Sequence, residues 1–159
     1  MPIVATVGSA ILFYLAFPNI LTQDGFSLMG WLFAIPFLFA LEGQPWLRRI
    51  LLGTLWGIVA YGCLVHWLWP VSRGGYFLFV FALATQGVMF AILTGARRLS
   101  DRWALFYYPA AWVVSEVLRN ALLGGFSWSA AYSQAFHPSL IQVASFGGAY
   151  AVSWIMLAV

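Results

Sequence analysis

Long apolar blocks separated by short polar segments run through the whole chain. At about 1.5 Å per helical residue, roughly 20 apolar residues cross a 30 Å hydrocarbon core. The pattern predicts an all-α, polytopic transmembrane bundle of about six spans, at residues 2–21, 26–41, 50–69, 76–95, 103–123 and 139–159. An outer loop is predicted at 124–138. The block at 26–41 is the shortest and contains Pro36, so a re-entrant segment is the alternative there.

Small residues recur at four-residue spacing inside two of these blocks. Gly53 and Gly57 lie in the third, and Gly87, Ala91 and Gly95 lie in the fourth. Such stripes allow the backbones of neighbouring helices to approach closely. We therefore expect close helix packing along both blocks.

Composition supports the membrane assignment. The chain has 159 residues, of which 64% are hydrophobic and 7% are charged, whereas soluble domains carry about 25% charged residues. All seven cations are arginines in short segments or near helix ends, so the net charge of +3 indicates membrane topology rather than nucleic-acid binding. The single cysteine, Cys63, excludes an intrachain disulfide.

The arginines also predict orientation. Five of them lie in the second and fourth connecting segments: Arg48, Arg49, Arg97, Arg98 and Arg102. The opposite side carries Arg73 and Arg119. By the positive-inside rule, the N-terminus is cytoplasmic and the loop at 124–138 faces outward. The last apolar block ends at Val159 without a polar flank, so we expect the chain to be part of a longer protein.

Glu116 and Arg119 stand out because ionisable residues are rare inside apolar blocks. Three residues apart on a helix, they lie on one face and are expected to pair. Each ion alone in a bilayer costs roughly 2.5–3.5 kcal/mol on insertion scales, so that face should point into the bundle or a polar cavity. A purely structural ion pair and a functional site both remain open. Arg119 is near enough to the helix end to extend to the outer surface.

Other candidate chemistry is sparse. The sequence has no phosphate-binding loop and no zinc motif, and we expect neither metal nor cofactor. His66 lies among aromatic residues and is more typical of an interface or packing position than of a ligand. Ser127 with His137 is a weak nucleophile–base candidate, and an apolar setting keeps Cys63 unreactive.

Beyond these patterns, the chain resembles a known family. The string runs from Ala110-Ala111-Trp112 through Glu116, Leu118-Arg119, Gly125-Phe126-x-Trp128 and Tyr132-Ser133-Gln134. Weaker matches are Leu15-Ala16-Phe17-Pro18, His66-Trp67, Ile141-Gln142-x-Ala144-Ser145-x-Gly147 and Ala149-Tyr150. Together they resemble the membrane domain of bacterial apolipoprotein N-acyltransferases, over nearly the whole chain.

The resemblance implies a multi-pass enzyme of the bacterial inner membrane. It moves an acyl chain from a phospholipid to the N-terminal diacylglyceryl-cysteine of a lipoprotein. In that family a glutamate, a lysine and a cysteine of an outer nitrilase-like domain perform the chemistry. This chain has no lysine, so we expect no catalytic residues in it and no activity from it alone.

The resemblance also suggests which residues handle lipid. Phe126 and Trp128, with Trp69 and Tyr132, are candidates for contacting acyl chains, and interfacial anchoring is the alternative for the aromatic residues. Glu116 and Arg119 are expected to hold their helix and the outer loop in place. Ser127 departs from the family, which typically has proline there, so the loop is expected to be looser.

Two other functions remain open on the sequence. One is a small transporter with Glu116, Arg119 and His66 along a polar path. The lack of paired broken helices and of a second intramembrane acid argues against it. The other is a non-catalytic membrane scaffold packed through its glycine stripes. Expected partners are the phospholipid donor, the lipoprotein substrate and membrane lipids, with no nucleic acid, and the oligomeric state is left open.

Overall fold

The computed structural model describes residues 1–95, 101–124 and 128–159, and within these ranges it contains helices and no strand. The α-helices are α1 (Pro2–Leu15), α2 (Met29–Leu32), α3 (Ala34–Leu41), α4 (Trp46–Leu64), α5 (Arg73–Leu93), α6 (Asp101–Leu123), α7 (Pro138–Ile141) and α8 (Ala144–Ala158). Two 3-10 helices lie at His66–Leu68 and Ala130–Gln134. The predicted all-α class is therefore confirmed for the described part of the chain.

Two of these helices are long and apolar enough to cross a bilayer, and they are α4 and α5. The helices α1 and α8 and the segment Met29–Leu41 are apolar but shorter. α6 has 23 residues but carries Glu116 and Arg119 within it. The count of six spans stays a prediction.

Several helix ends differ by a few residues from the ends of the predicted spans, for local reasons. The first helix stops at Leu15, shortly before Pro18-Asn19, where the sequence predicts its end, and Asn19 then turns the chain. Its side-chain amide donates to the carbonyls of Leu15 and Phe17, and its carbonyl oxygen accepts from the amide of Leu21. α5 begins at Arg73, three residues earlier than predicted, because the Ser72 side chain caps it by accepting from the Gly75 amide at 3.1 Å.

The predicted polar segment before the third block is also shorter than expected. α4 begins at Trp46, after Pro45 in an extended conformation. Arg49, predicted in a loop, lies in the first turns of α4 and donates to the carbonyls of Leu41 and Ala91 and to the Thr94 hydroxyl, at 2.6–2.8 Å. An arginine at this position thus joins three segments at one end of the bundle.

The last predicted block, 139–159, divides into α7 and α8. α8 itself is interrupted at Gly147 and Gly148, whose backbone angles are not helical. Gly148 has a φ of +65°, a conformation that residues with a Cβ rarely adopt. The predicted loop at 124–138 contains the 3-10 helix Ala130–Gln134.

The glycine stripes bring α4 and α5 together, as the sequence predicts. A Cβ on Gly53 would lie 2.5 Å from the Gly87 carbonyl oxygen, and a Cβ on Gly57 would lie 2.5 Å from the Ala84 Cα. The two backbones are therefore as close as glycine permits.

An aromatic core fills the space between α1, α3, α4, α5 and α6. Its fully buried members are Phe13, Phe33, Phe37, Trp56, Tyr61, Phe90 and Trp112. Trp112 lies edge-on to Phe33 and to Phe90, with ring centroids 4.9 and 5.1 Å apart, and Phe37 stacks on Trp56 at 5.3 Å. Such pairs each contribute about 0.5–1.5 kcal/mol beyond area burial, so this core fixes the position of α6.

Candidate functional site: a buried polar network under the loop at 128–134

Glu116 on α6 is completely buried and is surrounded by hydrogen-bond donors. One carboxylate oxygen accepts from the Trp112 indole N–H and the Ala130 amide, both at 2.8 Å. The other accepts from the Ser129 hydroxyl at 2.6 Å. Trp112 lies one turn earlier on the same helix, whereas Ser129 and Ala130 belong to the loop. The carboxylate therefore ties α6 to the loop.

Arg119 is likewise completely buried, so the expected extension to the outer surface is wrong. Its Nη1 donates to the Tyr61 hydroxyl at 2.7 Å, to the Gln86 side-chain carbonyl at 2.6 Å and to the Trp128 backbone carbonyl at 3.1 Å. Its Nη2 donates to the Asn120 side-chain oxygen at 3.0 Å. One guanidinium thus joins α4, α5, α6 and the loop.

The direct ion pair expected between Glu116 and Arg119 is not formed, since within the described ranges no salt bridge joins the two side chains. Each ion is instead solvated by neutral groups close to it. Their burial agrees with the expectation that this helix face points into the bundle, because the polar partners come from neighbouring helices and the loop.

Further hydroxyl and amide groups extend the network. The Ser129 hydroxyl is 2.9 Å from that of Ser153 on α8, and the Ser153 hydroxyl accepts from the Ala131 amide at 3.1 Å. Asn120 donates to the Tyr150 hydroxyl at 3.0 Å. α8 is thereby held to the same loop. We call this set of side chains the buried polar network: Tyr61, Gln86, Trp112, Glu116, Arg119, Asn120, Ser129, Tyr150 and Ser153.

In the described part of the chain, the buried polar network contains a side-chain donor without an acceptor, on Gln86. Its side-chain oxygen accepts from both Tyr61 and Arg119, but its Nε2 is buried and has no hydrogen-bond partner among the residues that the structure describes. A buried amide without an acceptor is uncommon and is costly unless water reaches it.

The aromatic candidates for lipid contact lie at three places. The structure describes no part of Phe126, so that prediction falls outside the described residues. Trp128 is half-buried against Phe79, with ring centroids 6.1 Å apart. Trp69 is 39% exposed and lies edge-on to Tyr76, with the Arg73 guanidinium 5.4 Å from its ring centre.

Tyr132 is 46% exposed, on the 3-10 helix that follows Trp128. Trp69 and Trp128 both pack on the first half of α5.

Sequence patterns miss most of the buried polar network. Tyr61 and Gln86 are 58 and 33 residues from Arg119, and Ser153 is 24 residues from Ser129. One usable signal was Gln86, a polar residue in an otherwise apolar block. A second was Trp112, whose spacing of four residues from Glu116 places it on the same helix face.

Comparison with known proteins identifies the family of the chain. The family model described as "Apolipoprotein N-acyltransferase N-terminal domain" matches residues 9–159. The "Apolipoprotein N-acyltransferase" of Geobacter metallireducens is 30% identical over 93% of this chain and 30% of its own length. "Apolipoprotein N-acyltransferase 1" of Treponema denticola is 26% identical over 93% of this chain and 28% of its own length.

A third relative, the "Apolipoprotein N-acyltransferase" of Methylococcus capsulatus, is 30% identical over 87% of this chain and 31% of its own length. No solved structure shows significant similarity. The chain thus spans a little under a third of the length of the curated relatives that it matches. With nearly all of its residues matched by the family model, the chain belongs to the apolipoprotein N-acyltransferase N-terminal domain family.

Proposed function

We propose that this chain is the membrane domain of an apolipoprotein N-acyltransferase, and that its role is to hold the loop at 128–134 in the position that acyl transfer requires. The observation that carries the proposal is the attachment of three successive loop residues to buried ions. The Trp128 carbonyl accepts from Arg119, and the Ser129 hydroxyl and Ala130 amide donate to Glu116.

The energetics favour positioning over proton transfer for these ions. All three donors around Glu116 are within 2.8 Å, so the carboxylate has no open side on which a substrate would lie. Hydrogen bonds to charged groups contribute roughly 1.5–3 kcal/mol each. Two of these bonds, from Ser129 and Ala130, and the bond from Arg119 to the Trp128 carbonyl attach the loop to buried ions, and they fix the loop more firmly than its own short 3-10 helix would.

We infer the substrates from the family resemblance. The acyl donor is a phospholipid, the acceptor is a diacylated lipoprotein, and the reacting groups lie in a region corresponding to the roughly 70% of the relatives that this chain does not match. Trp128, Phe126, Trp69 and Tyr132 contact the acyl chains at the outer face. The chain is inactive without that further region.

The location is the bacterial inner membrane, crossed several times. The N-terminus is cytoplasmic, and the loop at 124–138 faces outward. Reporter fusions test this orientation. A periplasm-dependent phosphatase fused after Gln134 should be active, and one fused after Arg48 should not. The opposite pattern would overturn the orientation.

The activity is tested with a chimera that joins residues 1–159 to the remaining part of the Geobacter metallireducens relative. In membranes depleted of the host enzyme, the chimera should add one acyl chain to a synthetic diacylated lipopeptide, measured by mass spectrometry. Trp128→Ala should lower the rate at least tenfold. Trp103→Ala, which removes a 67% exposed aromatic side chain from the other end of α6, should not.

Two results would contradict the proposal. A chimera that inserts normally but never acylates would argue against the family activity. If Trp128→Ala and Trp103→Ala left the rate equally unchanged, the proposed contact of the Trp128 side chain with the acyl chains would be wrong.

A further inference from the structure

An open groove of about 400 Å³ lies between the segment that precedes α2 and the segment that enters α7. Its walls are largely apolar and include Leu28, Trp31, Pro138 and Leu140. Within it, the Ser27 hydroxyl oxygen lies 2.6 Å from His137 Nε2, although the two residues are 110 positions apart. The structure therefore gives His137 a serine partner, Ser27, whereas Ser127, the partner considered from the sequence, lies outside the described residues.

Both members of this pair are fixed by their backbones. The chain before Ser27 reverses at Gly25, whose φ is +72°, and the Phe26 amide then donates to the Leu15 carbonyl at 2.8 Å. The Ser27 carbonyl accepts from Gln134 Nε2, also at 2.8 Å. On the other side, the His137 amide donates to the Gln134 carbonyl at 2.9 Å. Gln134 thus links the two halves of the pair.

Close packing beside the groove maintains this link. A Cβ on Gly30 would lie 3.1 Å from Gln134 Nε2 and in direct conflict with the Ser133 hydroxyl. Glycine at this position therefore allows the 3-10 helix Ala130–Gln134 to lie against α2. That 3-10 helix is the element that the buried polar network anchors.

The arrangement matches the requirements for an activated serine. With the ring proton on Nδ1, the Ser27 hydroxyl donates to Nε2, and the imidazole is placed to take the proton as the oxygen attacks. The apolar walls suit an acyl chain.

We propose that Ser27 and His137 form a nucleophile–base pair that is acylated by esters with an apolar acyl chain. The Ser27 oxygen bonds to the carbonyl carbon, the bond from that carbon to the leaving oxygen breaks, and the Ser27 proton passes through His137 Nε2 to the leaving alcohol. This site is separate from the N-acyltransferase assignment and does not depend on it.

The reaction is slow. No carboxylate contacts the other ring nitrogen of His137 in the part of the chain that the structure describes. Loss of the orienting carboxylate lowers kcat about 10⁴-fold in serine proteases. The site is therefore expected to accept one acyl or phosphonyl group slowly rather than to turn over rapidly.

The test is covalent labelling of the full 159-residue chain in detergent with an alkyl fluorophosphonate, which loses fluoride as the serine oxygen bonds to phosphorus. Peptide mass spectrometry should find Ser27 labelled at least tenfold faster than Ser145, an exposed serine whose hydroxyl donates to the Gln142 carbonyl. His137→Gln should slow labelling of Ser27 at least tenfold. His66→Gln, at another exposed histidine, should not.

Equal labelling of Ser27 and Ser145 in the unaltered chain would overturn the proposal without any variant. So would undiminished labelling of Ser27 in a His137→Gln chain that elutes like the unaltered protein on size exclusion. If that variant does not fold, the comparison of Ser27 with Ser145 decides by itself.

Discussion

Replacing Glu116 separates the contribution of its charge from that of its shape. In Glu116→Gln the amide oxygen still accepts from the Trp112 indole and the Ala130 amide. Two charge-assisted hydrogen bonds become neutral ones, at a cost of about 1 kcal/mol each. The Ser129 hydroxyl, which donates to the other carboxylate oxygen, would face the amide NH₂ group and lose its acceptor there. Arg119 also loses the negative charge nearest to it. Removing one of two neighbouring buried charges of opposite sign costs about 3–5 kcal/mol, so we expect the free energy of unfolding to fall by an amount in that range.

Glu116→Ala should cost more because it strands two buried donors. The Trp112 N–H and the Ala130 N–H would each lose their acceptor, at about 1–3 kcal/mol per group. The alanine variant should therefore be about 2–6 kcal/mol less stable than the glutamine variant. Reversible unfolding in mixed detergent micelles, followed by tryptophan fluorescence, measures both values.

Leu118→Ala is the matched control, because Leu118 is 44% exposed on the same helix. It should change the free energy of unfolding by less than about 1 kcal/mol. The reasoning would be refuted if Glu116→Gln and Glu116→Ala were equally stable, or if either matched Leu118→Ala.

Two further substitutions test the packing of the bundle. Gly53→Ala should destabilise the chain by about 1–3 kcal/mol, because the new Cβ would lie 2.5 Å from the Gly87 carbonyl oxygen. Gly8→Ala is the control, and it should be neutral or stabilising because open space surrounds Gly8. Equal effects of the two substitutions on the free energy of unfolding would contradict the close approach of α4 and α5. Arg49→Lys should lower the thermal unfolding midpoint, because an ammonium cannot reproduce the three-way donation of the guanidinium. Exposed Arg48→Lys should not, and equal midpoints would argue against this contact.

Local patterns predicted the parts of the fold that depend on local chemistry. The all-helical class follows from the apolar blocks. The α4–α5 contact follows from Gly53, Gly57 and Gly87, because glycines on facing helices allow the two backbones to approach closely. Helix ends were less accurate. Asn19 and Ser72 set two of them through side-chain hydrogen bonds that periodicity does not reveal.

The buried polar network was predicted only at Glu116 and Arg119. Their burial follows from the cost of exposing ions to lipid, but their partners do not. Spacing along α6 suggested that the two would pair, whereas Tyr61 and Gln86, brought in by tertiary packing, solvate Arg119 instead. The pairing of His137 with Ser27 has the same origin, since no sequence pattern connects residues 110 positions apart.

The central claim is that the buried polar network positions the outer loop for acyl transfer. The most direct measurement is the initial rate of N-acylation by the chimera carrying Glu116→Gln, compared at equal membrane abundance with the unaltered chimera and with Leu118→Ala. We predict a rate at least tenfold lower for Glu116→Gln and an unchanged rate for Leu118→Ala. Full activity in Glu116→Gln would contradict the account, because the loop would then not depend on the carboxylate that holds it.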